Sequence, residues 1–359
     1  MGCVREAWIA LAHVVEPGDA RLGALVDHEG PEAVLDKISQ HHQSIPDGVS
    51  ARWDAAQLDA CDQRATSVGA RIVTRGDSEW PHQLDDLGPR APFALWVAGA
   101  PDLRLALVRS VAIVGARAST HYGEEIARRW AAELAGRPVT VVSGGAFGID
   151  AAAHRGALLA GLTVCVVAGG VDVIYPQAHA SLLSRIADEG LIVSETPPGQ
   201  SVRRQRFLSR NRLIAALTHA TVVVEAADHS GTASTAREAN SLNRPVAAVP
   251  GPVDSASSRG CHRLIRDHEA ILVCSSRDVE ELIPGYVEDN RSTDGSSEPA
   301  ILGARERQVL DSLPMRGTME MDALVCSSGL RSGEVVAAIG LLELRGLIES
   351  HDSGWRLRR

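Results

Sequence analysis

Between Val111 and Asp150 the chain twice runs a short apolar strand into a glycine turn and out into a helix, first as VAIV-GAR-AST and then as VTVVS-GGAFG-ID. Glycine lets a backbone come close to a ligand, and the first turn of a helix carries N–H groups without intrahelical acceptors. Together these features bind anions, phosphate above all. The candidate residues are Gly115, Arg117 and Ser119 in the first turn and Ser143, Gly144, Gly145 and Gly148 in the second. Glycine at such turns also serves plain packing. Arg117 points the other way, because an arginine at a helix entrance with no carboxylate in its own turn serves an external anion better than a core. The turns lack GxGxxG, which argues against a dinucleotide.

A second set lies in SVRRQRFLSRNR, which holds Arg203, Arg204, Arg206, Arg210 and Arg212, with no Asp or Glu between Glu195 and Glu225. A charge run alone is usually a solvated face. Here Phe207 interrupts it, and an aromatic ring beside guanidinium groups is how single-stranded nucleic acid is held without its sequence being read. Arg204, Arg206, Phe207, Arg210, Asn211 and Arg212 are therefore candidate contacts to single-stranded nucleic acid. A third set, Ser230, Gly231 and Thr232 in HSGTASTAREA, opens another helix, where Thr235 could also donate and where simple capping is the competing reading. No GxSxG or sequence-evident triad is present, so Asp150, His154, Asp172, Tyr175 and Glu225 are read as supporting residues.

The elements that must position these residues follow from patterning. Residues 1–70 read as short amphipathic helices split by Pro17, Pro31 and Pro46. Residues 71–284 carry nine apolar runs, RIVT, FALWV, VAIV, VTVVS, TVCVVA, LIVS, TVVVEA, VAAV and AILV, several separated by helical stretches. Such alternation gives an α/β fold, a Rossmann-like, mostly parallel sheet covered on both faces. After Arg117 a helix is expected with Ser119 or Thr120 as cap and Ile126, Trp130 and Leu134 facing inward. Residues 285–300 are polar and read as a linker. Residues 301–359 read as three helices and a hairpin, a winged helix.

Composition narrows the function. A net charge of −9 excludes a protein that coats nucleic acid over its whole surface, so a polyanion site must be a local basic patch. The six cysteines show no CxxC or Cys/His ligand spacing, which fits reduced thiols and no metal site. Lys37 is the sole lysine and has no phosphate-loop glycines around it, so neither a Walker A loop nor Schiff-base catalysis is supported. AWIALAHVV is short and ends at Glu16-Pro17, reading as a packed helix rather than a signal peptide or membrane span. A cytoplasmic protein without membrane contact, metal or cofactor is expected.

The ordered motifs VGAR-AST, SGGAFGIDAAAHRGAL, GGVDVIYP, SETPPG, FLSRNRLIAAL, VVVEAADHSGTASTAREA and RPVAAVPGPV resemble the DprA/Smf DNA-processing proteins, continuously from about residue 71 to 283. The resemblance implies an extended Rossmann core, a helical N-terminal domain and a winged-helix C-terminal domain. It further implies a homodimer, not an enzyme, that binds single-stranded DNA and hands it to the RecA recombinase in natural transformation or recombination. By motif, Arg117 takes the family's phosphate-gripping position. Phe207, Arg210 and Arg212 fall in its FPxRNR-like segment, and Gly144, Gly145 and Gly148 in its SGxAxGID turn. The chain departs from the pattern with Gln177 in place of a lysine after YP and Leu208 in place of proline. In GCHRLIRDHEA, His262 stands for asparagine and Glu269 is read as standing for glycine. The competing enzymatic reading is a nucleotide phosphoribohydrolase with a PGGxGTxxE motif, but Thr235 stands where its glutamate belongs and no PGG precedes Gly231. A third reading, transcription regulation through the winged helix, meets a presumed recognition helix whose Arg331 and Arg345 are matched by Glu334 and Glu343, leaving no net charge for phosphate.

Overall fold

Each of the nine apolar runs forms a strand, and all nine join one sheet. They are β1 (Ala70–Thr74), β2 (Ala94–Ala98), β3 (Ser110–Val114), β4 (Thr140–Ser143), β5 (Thr163–Val166), β6 (Leu191–Ser194), β7 (Ala220–Val223), β8 (Val246–Ala248) and β9 (Ile271–Leu272). The computed structural model describes residues 4–54, 58–227, 231–285, 303–314, 317–344, 346–351 and 354–358. The strand order is β1-β2-β6-β5-β4-β3-β7-β8-β9, parallel from β6 to β9, with β2 antiparallel to β6 and β1 antiparallel to β2 at one end. Strands β2 to β8 are buried along their whole length, as expected for a parallel sheet covered by helices. Alternate residues feed opposite layers: Ala112, Val114 and Val142 enter one apolar core, and Val111, Ile113 and Val141 the other.

From β3 the chain steps through β4 and β5 to β6, then returns to lay β7 on the far side of β3. The order therefore reverses at β3, and the carboxyl ends of β3 and β7 flank a topological switch point, the usual place for a ligand crevice in an open α/β sheet. The helix after the first glycine turn, His121–Ala135, has Thr120 as its cap, with Oγ1 accepting from Gly123 N at 3.2 Å, and buries Ile126, Trp130 and Leu134.

The N-terminal helices share a core with the antiparallel end of the sheet. Trp8 and Leu11 of Val4–Val14, Leu22 of Ala20–Glu29 and Val34 and Ile38 of Pro31–Ser39 pack in one cluster with Phe93, Ala94 and Trp96. They belong to the first of two compact units, Met1–Val287. The second unit, Glu288–Arg359, holds the helices Ala304–Ser312, Met321–Ser328 and Ser332–Leu344 and a hairpin of β10 (Ile348–His351) and β11 (Gly354–Leu357). Its own core is built on Val309, Leu324, Val335, Ile339, Leu342 and Ile348. The expected linker lies, apart from Gly285, outside the described residues, as does Arg345. No single helix among the described residues is long and apolar enough to cross a membrane.

Candidate nucleic-acid interface

A cavity of about 460 Å³ opens at the switch point. Its walls come from three places: Gly115 to Ala118 after β3, Ala146 and Asp150 after β4, and Phe207, Leu208, Arg210 and Asn211 on the helix Arg204–Ala216. Gly231 and Thr232, at the start of the helix Thr232–Ser241, close the remaining side, and Asn211 Nδ2 donates to Gly231 O at 3.4 Å. Ser230 lies outside the described residues.

At the mouth, the exposed guanidinium of Arg117 sits 5.2 Å from the Phe207 ring centroid, a cation–π contact that joins the two stretches the sequence singled out. Arg117 has no carboxylate partner among the described residues, so its donors remain available. Tyr175 packs against the same ring at 5.6 Å. Arg204 is also exposed.

The other arginines of that helix turn inward, which corrects the reading of the whole run as DNA contacts. Arg212 is buried and gives both carboxylate oxygens of Glu195 a hydrogen bond at 2.6 Å. Arg206 is buried and reaches both oxygens of Glu16 at 3.3 Å. Neither lines the cavity, because desolvating an arginine demands a partner and each has found a carboxylate. Arg210 does line the cavity but is buried: Nη1 donates to Val166 O at 2.8 Å, while Nε has no partner among the described residues.

Several of the predicted glycines are explained by packing. A Cβ at Gly144 would overlap the Arg210 guanidinium, one at Gly115 the Ile149 side chain, and one at Gly148 the Ala116 carbonyl. Gly145 and Gly148 take left-handed φ values of +69° and +75°. Ser143 is sealed off, its Oγ donating to Ile113 O at 2.6 Å, because the last residue of β4 still faces the sheet. Ser119 spends its hydroxyl on Glu124 at 2.7 Å. At the helix N-terminus expected to hold external phosphate, the buried Glu225 carboxylate accepts from Thr120 N at 2.9 Å and Thr120 Oγ1 at 2.6 Å. Likewise, Asp150 accepts from Ala146 N at 3.3 Å inside the second turn. Burial pushes the Asp150 carboxyl above its usual range, and the nearby Arg210 opposes that shift. The Thr120 and Ala146 amides are thus taken by carboxylates of the chain, whereas the exposed Arg117 side chain meets none among the described residues.

Phe147, half-exposed in the second turn, was missed by sequence reading. Its signal was an aromatic residue among glycines, in GGAFG. Three departures from the expected motifs have a visible local setting. Gln177 Nε2 donates to Ile174 O at 3.4 Å, within its own loop. The residue with left-handed φ after the helix Arg259–Arg266 is His268, at +59°, so position 268, not Glu269, is where glycine would be favoured. His262 Nε2 lies 3.0 Å from Gly251 O.

Residues 71–284 match the family model described as DNA recombination-mediator protein A, and residues 295–354 match the DprA winged helix domain. A relative from Mycobacterium tuberculosis, named as a DNA processing protein DprA, is 42% identical over 99% of this chain and 94% of its own. The Smf protein of Synechocystis is 31% identical over 80% of each. The X-ray structure of DprA from Streptococcus pneumoniae superposes with a TM-score of 0.67 at 28% identity, covering 79% of this chain and 99% of the other. A structure of the Helicobacter pylori DNA processing protein A, reported for its single-stranded DNA binding mode, gives 0.54 at 30% identity, over 59% of this chain and 94% of that one. With a central model spanning more than half of its length and these relatives along nearly all of it, the chain belongs to the DprA/Smf family of DNA-processing proteins.

Proposed function

We propose that this chain binds single-stranded DNA across the carboxyl edge of its sheet and delivers the strand to RecA, acting as a cytoplasmic homodimer and as a binding protein rather than an enzyme. One observation carries the reading: the unpaired Arg117 guanidinium stacked on Phe207 at the mouth of the switch-point cavity. Arg117 and Arg204 would hold phosphates, Arg210, Asn211, Gly231 and Thr232 would shape the floor, and bases would rest against the aromatic side. The family membership and the single-strand binding described for the Helicobacter relative support this reading. For the dimer, the edge strand β9 offers Ile271 and Leu272, 51% and 50% exposed, with one side of the strand unpaired. Free thiols at Cys165, Cys261, Cys274 and Cys326 suit a reducing compartment.

The test is fluorescence anisotropy of labelled single- and double-stranded oligonucleotides over a salt series. Single strands should bind preferentially, with a log–log salt slope of about −0.7 per neutralised phosphate. Equal binding of both forms, no binding, or full retention in Arg117→Ala would overturn the reading. Delivery is read separately, as faster assembly of RecA on strands pre-bound by the protein.

A further inference from the structure

The chain uses its aromatic residues unevenly. It has three Phe and three Tyr; of the five described, only Phe93 is buried in a core, while four Trp, at positions 8, 80, 96 and 130, are buried. Tyr122 is half-exposed, but its hydroxyl is tied to Pro250 O at 2.8 Å. The remaining three, Phe147, Tyr175 and Phe207, all belong to loops or helix starts that follow parallel strands at the carboxyl edge. Large rings normally enter the core, and exposed ones grouped at one edge mark a contact surface.

Phe207 is the least open of the three, with Arg117 over its face and Tyr175 5.6 Å away. Tyr175 and Phe147 are 46% and 47% exposed. Phe147 is braced from beneath by His179, whose ring packs edge-on at 4.6 Å and whose Nδ1 lies 3.1 Å from Gly145 O. His179 is buried and sits four residues beyond Tyr175 on the same loop, so that loop carries one ring and supports the other. Rings held in this way lose little freedom when a planar ligand stacks on them.

We infer that Tyr175 and Phe147 are base-stacking residues that extend the Phe207 site into a three-ring track, so that the strand runs from the Arg117 phosphate contact over the loops following β5 and β4. Phe207 then acts mainly as the bracket between Arg117 and Tyr175. This inference rests on the single-strand reading above and adds a footprint to it: two further bases, gripped without regard to sequence, on rings that lie outside the arginine segment.

The experiment uses the full chain with fluorescein-labelled oligothymidylate and an abasic oligonucleotide of the same length, each over a salt series. Tyr175→Ala and Phe147→Ala should each weaken oligothymidylate binding about 5- to 150-fold, the range expected for one lost stacked base. Their salt slope should stay at the wild-type value, since no phosphate contact is removed. Abasic strand binding should be unchanged in both, and Tyr175→Phe should bind like wild type. Arg117→Ala, by contrast, should weaken both strands and reduce the slope by about 0.7. Wild-type affinity for oligothymidylate in both alanine variants, or equal losses on the abasic strand, overturns the track. If those variants bind normally while Arg117→Ala fails, the single-strand reading stands and the track alone is wrong; if the wild type binds neither strand, both fall.

Discussion

The arginines near the switch point fall into two regions that look alike in sequence and behave as opposites. On the sealed side, Arg206 and Arg212 are buried against Glu16 and Glu195. On the open side, Arg117 and Arg204 face solvent, and Arg117 is held by an aromatic ring rather than a carboxylate. A run of positive charge is thus no guide to which guanidinium groups stay open to solvent. What decides is which guanidinium groups the rest of the chain leaves without a counter-charge, and the stretch free of Asp and Glu happened to begin just after Glu195, the residue that neutralises Arg212.

The sharpest way to break this contrast is to exchange its two outcomes. Arg212→Met strands Glu195 as a buried, unpaired carboxylate and should cost about 3–5 kcal/mol of stability in urea unfolding, while the molecules still folded bind single strands as wild type does. Loss of DNA affinity at unchanged stability would place Arg212 on the open side after all. Arg117→Ala should do the reverse: stability within about 0.5 kcal/mol of wild type, and affinity down about 10- to 150-fold, as for a charge-assisted hydrogen bond removed from a phosphate.

A smaller effect probes how dry the sealed side is. His154, behind the second glycine turn, is fully buried, with Nδ1 2.8 Å from Thr163 Oγ1 and Nε2 unpartnered among the described residues. Burial, with Arg210, His179 and Arg155 adding like charge, pushes its pKa down to about 3. Above the ordinary histidine pKa, near 6.5, folded and unfolded chains are both neutral at this site; as pH falls below it the unfolded chain takes up a proton that the folded chain refuses. Stability from this site is therefore complete above about pH 6.5 and is lost progressively down to about pH 3. Between pH 7 and pH 5 the loss should be roughly 2 kcal/mol, and His154→Leu should flatten that part of the profile. The smallest expected change is at His268, where glycine would relieve a left-handed conformation: His268→Gly should add roughly 1 kcal/mol in urea unfolding and leave DNA affinity untouched.

Much of the fold was legible because it rests on local pattern. All nine apolar runs became strands, Thr120 became the cap offered as one of two, and the three helices and hairpin of the C-terminal unit lie where periodicity put them. Arg117 and Phe207, 90 positions apart, were each singled out by the chemistry of their own segment, and the structure brings them into contact. What stayed hidden was long-range satisfaction of charge. Glu225 reaches Thr120 across 105 positions and Glu16 reaches Arg206 across 190, and no local rule announces either. Ser143 misled for a different reason: its hydroxyl turns into the sheet, a choice fixed by strand register rather than by the glycines beside it.

Gly144 and Arg210 occupy what is nearly the same space, the hydrogen of one leaving just enough room for the planar head of the other. Neither position is therefore free to vary alone. A methyl at 144 expels the guanidinium from its seat on the Val166 carbonyl, and a short residue at 210 opens a void beneath the turn that carries Phe147. Among relatives of this chain the two sites should drift as a couple, with larger residues at one tolerated only where the other has already shrunk.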